Sequence, residues 1–141
     1  MKSCCFFGHR DTPNDINPKL IQAIENLIIN ENVNNFYVGN QGEFDGMVYS
    51  ALKKLKQKYP QISYAVVLAY LPADNSIDNY DGNTIYPEGL ESVPKRFAIS
   101  KRNDSMIIHS NYCICYITHN FGGAAQFAEK AKKIGLRIYT L

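Results

Sequence analysis

The chain has 141 residues, 45% of them hydrophobic, and a formal net charge of +2, which suits one domain with an ordinary core. Near-neutrality gives no electrostatic case for a nucleic-acid or membrane-surface partner, so neither is expected, although a single site can still be locally basic. No stretch approaches the ~20 apolar residues of a membrane span, and MKSCCFFGHR is too short in apolar residues for a signal peptide, so a cytoplasmic location is expected.

In a reducing compartment the four cysteines are expected as free thiols. Cys4 and Cys5 are neighbours and on a strand face opposite sides, whereas Cys113 and Cys115 share a face. Neither pair has CxxC spacing and both sit in apolar runs, so they read as small buried hydrophobes and no metal site is assigned.

The first element is a short buried strand from Lys2 to Phe7, ending at Gly8. GHRDTPND is a turn. Asn17 or Asp15 can cap the helix that follows, with Pro18 in its first turn. Leu20, Ile21, Ile24, Leu27 and Ile28 recur at helical spacing, and Asn34 and Asn35 break the pattern. Phe36 to Val38 is a second strand. After the loop NQGEFD, Met47, Ala51, Leu52 and Leu55 mark a second helix whose KKLKQK run reads as a solvated face. Ile62 to Leu71 is a third strand. Residues 72–94 are polar and turn-rich, and a loop of that length in a compact domain is usually functional or disordered; Tyr80, Ile85 and Tyr86 argue against simple disorder. Lys95 to Ser110 is a third helix, a fourth strand follows from Tyr112, and Leu136 to Leu141 closes the chain as a strand.

Strands alternating with helices predict an α/β fold: a Rossmann-like parallel sheet of about five strands, with helices on both faces, in one domain spanning 1–141. Ligands of such sheets bind beyond the carboxyl ends of the strands. The residues there are Gly8, His9 and Arg10 after the first strand, Gly39, Gln41, Gly42 and Asp45 after the second, and Thr118, His119, Gly122 and Gly123 after the fourth. The glycine pair opens the last helix, whose first amides point outward at its positive end, which suits a phosphate or another anion. Arg10 can fork onto phosphate oxygens or make a surface salt bridge. His9 can donate to a phosphate, act as an acid or base, or only order its loop. Asp45 can accept from a ribose hydroxyl or cap its helix. Tyr80 and Tyr86 can stack on a base or pack the loop down.

FFGHR, VGNQGEFD, YPEGLESVPKRFAISKRNDSM and YITHNFGGAAQFAE together resemble the SLOG superfamily, over essentially the whole chain. That group includes the DNA-processing protein A domain, the LOG phosphoribohydrolases and many small bacterial members. In the LOG enzymes an Arg-Lys-x-x-Met helix precedes a PGGxGTxxE loop. Here Arg102, Asn103 and Met106 stand as RNDSM, and FGGAAQFAE occupies the loop, with Gly122 and Gly123 matching and Glu129 at the glutamate's spacing. Phe121, Ala125 and Gln126 replace the proline, the later glycine and the threonine.

The resemblance implies a nucleotide at the rim described above, with Arg102 and Asn103 joining its ligand-binding residues. The leading expectation is a domain that binds a nucleotide or nucleotide-derived phosphorylated small molecule, with a sensor as its role. The alternative is a nucleoside 5′-monophosphate phosphoribohydrolase with Arg102 and Glu129 as catalytic residues, and the third a nucleic-acid-binding module. No cofactor is evident, a magnesium ion being one that would accompany a phosphate ligand. A homodimer is implied by the resemblance alone.

Overall fold

The computed structural model describes residues 2–71 and 83–141. Tyr80 lies outside them. In chain order the elements are β1 (Lys2–Gly8), α1 (Asn17–Asn30), β2 (Val33–Val38), α2 (Glu43–Lys58), β3 (Ser63–Val67), β4 (Asn83–Ile85), α3 (Ala98–Ile108), β5 (Tyr112–Tyr116), α4 (Gly123–Ile134) and β6 (Arg137–Thr140). They build one six-stranded sheet of order β4-β3-β2-β1-β5-β6, with every pairing parallel. The chain winds outward from β1 to β4, then returns across β1 to β5. The switch point of the sheet therefore lies between β1 and β5, where the connections leave toward opposite faces.

The period of two along each strand divides the core. Cys4 and Phe6 of β1, Phe36 and Val38 of β2, and Tyr112 and Ile114 of β5 join the cluster containing α1 and α2 residues. Cys5, Phe7, Cys113 and Cys115 join Met106, Ile107, Phe127 and Ala131 of α3 and α4 on the other face. All four cysteines are buried, free thiols. Burial of a phenylalanine such as Phe6, Phe36 or Phe44 (each 1% exposed or less) contributes about 2 kcal/mol.

Three expectations are corrected. Six strands replace about five, because Asn83–Ile85, read as loop, pairs with Ala65–Val67 of β3. Asn34 and Asn35 do not break structure but lie within β2. The ladder is made by backbone groups, and Asn35 donates its side-chain amide to Ser3 Oγ and Tyr37 Oη at 3.2 and 2.8 Å. Neither Asp15 nor Asn17 caps α1 with its side chain. The helix grows out of a 3₁₀ turn at Asn14–Ile16, which supplies the entry geometry instead, and Pro18 does sit in its first turn.

Candidate functional site

A cleft of about 320 Å³ opens above the carboxyl ends of β1 and its neighbours. Gly8, His9, Arg10 and Asp11 line it from the loop after β1, Gln41 and Asp45 from the start of α2, Ile99, Arg102, Asn103 and Met106 from α3, and Gly123 and Ala124 from the first turn of α4. Most of the residues expected at one rim thus meet there. Asp11, Ile99 and Ala124 were not anticipated. Ile99 is legible in retrospect, since 99, 102, 103 and 106 share one helix face.

Arg102 is the anchor. It is 2% exposed, with Nη1 donating to the Val67 carbonyl at 2.9 Å and Nε to Asn103 Oδ1 at 2.8 Å. Burial lowers its pKa from the ordinary value and nearby Asp45 opposes that shift. Such a guanidinium remains charged, and a buried charge needs partners. Gly39 provides the path for it. A Cβ there would lie 2.6 Å from Arg102 Nη1 and 2.8 Å from Asp45 Oδ2, so only glycine lets both side chains pass.

Asp45 neither caps α2 nor sits in an ordinary carboxylate environment. Its Oδ2 accepts from the Gln41 amide at 2.9 Å, pinning the loop that leads into the helix. Desolvation pushes its pKa up to about 6, against the pull of that hydrogen bond and of Arg102 and Arg10. The cleft therefore holds two arginines and a carboxyl that takes up a proton near neutrality.

His9 is 9% exposed, and its Nε2 accepts from the Thr118 amide at 3.0 Å. That bond requires Nε2 to be unprotonated. Burial first, and His119 second, lower the pKa of His9, while Asp11 acts in the opposite sense. His9 thus ties the loop after β1 to the loop after β5, and Thr12 Oγ1 donates to the His9 carbonyl.

Like Gly39, two more of the expected glycines make room for protein rather than for ligand. A Cβ on Gly8 would fall 2.2 Å from the Phe44 ring. A Cβ on Gly42 would fall 2.7 Å from the Arg10 Cα. Gly122 instead has no neighbouring atom of the described residues within 4 Å of where a Cβ would be, and it precedes α4 at φ 89° and ψ 176°. The first three amides of α4, those of Gly123, Ala124 and Ala125, have no hydrogen-bond partner among the described residues.

Glu129 does not join this cleft. It lines a separate groove with Cys115, Asn120, Ala125, Lys132 and Thr140, between α4 and the edge strand β6. From Gly123 to Glu129 is six residues, so helical rotation carries Glu129 away from the face that Gly123 and Ala124 present to the cleft. Tyr86 is partly buried against the core and packs the loop down.

No protein-family model matches the sequence, and no curated protein is significantly similar to it. Solved structures share its fold, among them two of DNA processing protein A. DNA processing protein A from Streptococcus pneumoniae superposes with a TM-score of 0.68 at 16% identity, over 99% of this chain and 50% of that one. DNA processing protein A from Helicobacter pylori, whose structure concerns its single-stranded DNA binding mode, superposes with the same score at 15% identity, over 99% and 64%. The chain spans half to two thirds of the length of these neighbours. The second corrects the expectation that nucleic acid is not a partner. A protein of this fold binds single-stranded DNA, and low net charge does not set that partner aside, because phosphate contacts are made by a few local groups. Among the described residues no helix is long and apolar enough to cross a membrane. The chain has a Rossmann-like fold that it shares with these two structures of DNA processing protein A.

Proposed function

We infer that this domain binds single-stranded nucleic acid by holding one phosphate group in the cleft between β1 and β5. The observation that carries the reading is the convergence of Arg10, buried Arg102 and the unpartnered first amides of α4 on one cavity of nucleotide-phosphate size. Arg10 is exposed and free to fold over a phosphate, whereas Arg102 is fixed by Val67 and Asn103 and supplies a preset charge. The helix terminus adds amide donors and a favourable dipole. The likeness in fold to a protein that binds single-stranded DNA supports the choice of ligand.

A labelled single-stranded oligonucleotide titrated at several salt concentrations tests this. Each phosphate neutralised contributes a slope of about −0.7 to log affinity against log salt, so Arg10→Ala is expected to weaken binding and flatten the slope by about that amount. Binding that is salt-independent, or unchanged in Arg10→Ala, would overturn the reading.

One observation favours a second reading, a free nucleotide or nucleotide derivative. The cleft is compact, and two arginines rather than a basic track line it. Thermal shift with nucleoside mono-, di- and triphosphates separates the two. A shift with these, and no binding of the oligonucleotide at low salt, would favour the small ligand.

A further inference from the structure

Beside the cleft stands a ladder of rings that the phosphate-binding arrangement does not use. His9, buried in the cleft wall, packs on His119 with ring centroids 4.0 Å apart. His119 in turn stacks on Phe121 at 4.1 Å with the planes only 16° apart. The His9 and Tyr116 rings meet in a T shape with centroids 6.1 Å apart. The His119 Nδ1 lies 3.1 Å from the Phe121 carbonyl oxygen, which holds the two rings of this turn in register. Phe121, the outermost ring, is 68% exposed, and it immediately precedes Gly122 at the open start of α4.

A large apolar ring at a loop tip normally folds back onto the protein. Here it is held out, with one face covered by His119 and with no ring neighbour other than His119 among the described residues. The platform is therefore pre-ordered: the ring need not be immobilised when a flat ligand arrives, which removes one cost of binding. Its base is His9, a residue of the cleft itself, so platform and phosphate site are parts of one continuous surface. Every nucleobase has a π-face, and stacking on an aromatic ring is tolerant of sequence.

We propose that Phe121, backed by His119, is a stacking platform for a nucleobase of the strand whose phosphate occupies the cleft. The proposal rests on the nucleic-acid reading above and names a contact that reading does not contain. It assigns an unpaired base, because a base inside a duplex has both faces covered.

The test compares two labelled single strands of equal length, one carrying bases and one abasic, against the wild-type protein, Phe121→Ala, Phe121→Leu and Phe121→Trp. A strand carrying 2-aminopurine reports stacking directly through its fluorescence. The wild type is expected to bind the base-bearing strand more tightly than the abasic one. Phe121→Ala and Phe121→Leu should lose about tenfold or more on the base-bearing strand and nothing on the abasic strand. Phe121→Trp should restore both affinity and the fluorescence change. Because Phe121 is exposed, these variants are expected to keep the wild-type melting temperature. Equal wild-type binding of the two strands, with the Arg10 dependence retained, would overturn the platform and leave the phosphate site standing. Binding of neither strand would overturn both. Loss of a dimer in Phe121→Ala with strand affinity unchanged would assign the ring to a protein interface and overturn the platform as well.

Discussion

Two helices of this sheet begin in the same way and end up with different tasks. α2 follows Gly42 at φ 92° and ψ −177°, and α4 follows Gly122 at φ 89° and ψ 176°. Both conformations are nearly exclusive to glycine. In both, the glycine carbonyl accepts the first helical hydrogen bond, from Gly46 and Gln126 respectively. At α2 the neighbouring loop then takes up the first amide. The Glu43 amide donates to the Arg10 carbonyl at 2.9 Å, Glu43 and Asp45 place acidic groups in the first turn, and the Arg10 backbone packs against Gly42. At α4 the first turn has no acidic residue, its amides have no partner among the described residues, and the space beside Gly122 is open. A helix start is thus a structural joint when a neighbouring backbone accepts its first amide and fills the space at its glycine, and a candidate anion site when nothing does.

Alanine at each glycine gives the largest contrast. Both substitutions force a Cβ into a strained backbone region, at about 1–3 kcal/mol. Gly42→Ala adds a collision with Arg10 backbone that no side-chain rotation relieves, so it is expected to cost more than Gly122→Ala, by about 1–3 kcal/mol in chemical denaturation. Equal destabilisation would mean that the packing of Arg10 on Gly42 contributes little, and the comparison would lose its steric half.

The electrostatic half turns on Asp45. Its pKa is raised from 3.8 to about 6, so the folded state holds the proton more tightly than the unfolded chain. The stability this gives is present below about pH 4 and is lost as pH rises through about 6. Asp45→Asn, which keeps an acceptor for the Gln41 amide, is therefore expected to raise stability at neutral pH by about 1–3 kcal/mol, and to give no gain near pH 4. Phosphate binding by the wild type should strengthen as pH falls through about 6 and the carboxylate is neutralised. In Asp45→Asn most of that dependence should disappear, leaving only what His9 contributes at lower pH. A variant with unchanged stability and an unchanged pH profile would show that Asp45 is not desolvated as described.

The smallest effect is expected at Glu129. It lies in the groove on the β6 side, outside the cleft. Glu129→Gln should leave strand binding and melting temperature unchanged within error, as surface substitutions away from partners usually do. Loss of binding on this substitution would move the ligand to the other side of α4.

Much of the cleft was legible as a list of residues. Gly8, His9, Arg10, Asp45, Arg102, Asn103 and Gly123 line it, because residues just after strands of a parallel sheet share one rim. Their individual jobs were not. Gly8 reads as room for ligand until Phe44 is seen in that space. Asp45 reads as a cap or a ribose acceptor until the Gln41 amide takes it. Glu129 joins Arg102 only through the family resemblance, and helix rotation sends it to the other groove. β4 was hidden because its three residues, Asn83, Thr84 and Ile85, with one apolar side chain among them, are too few to show the alternation that announces a strand.

By itself the sequence determined the parallel α/β architecture, the two-faced core and the rim on which polar loops gather. Those follow from local periodicity and from glycine placement, which act within a few residues. Only the tertiary structure decided that Arg102 is buried against Val67, that one glycine-capped helix is closed by Arg10 while the other stays open, and that His9, His119 and Phe121 stack. These depend on contacts between residues 35, 33 and 110 positions apart in the chain, whose geometry is set by strand order and not by any neighbouring residue type.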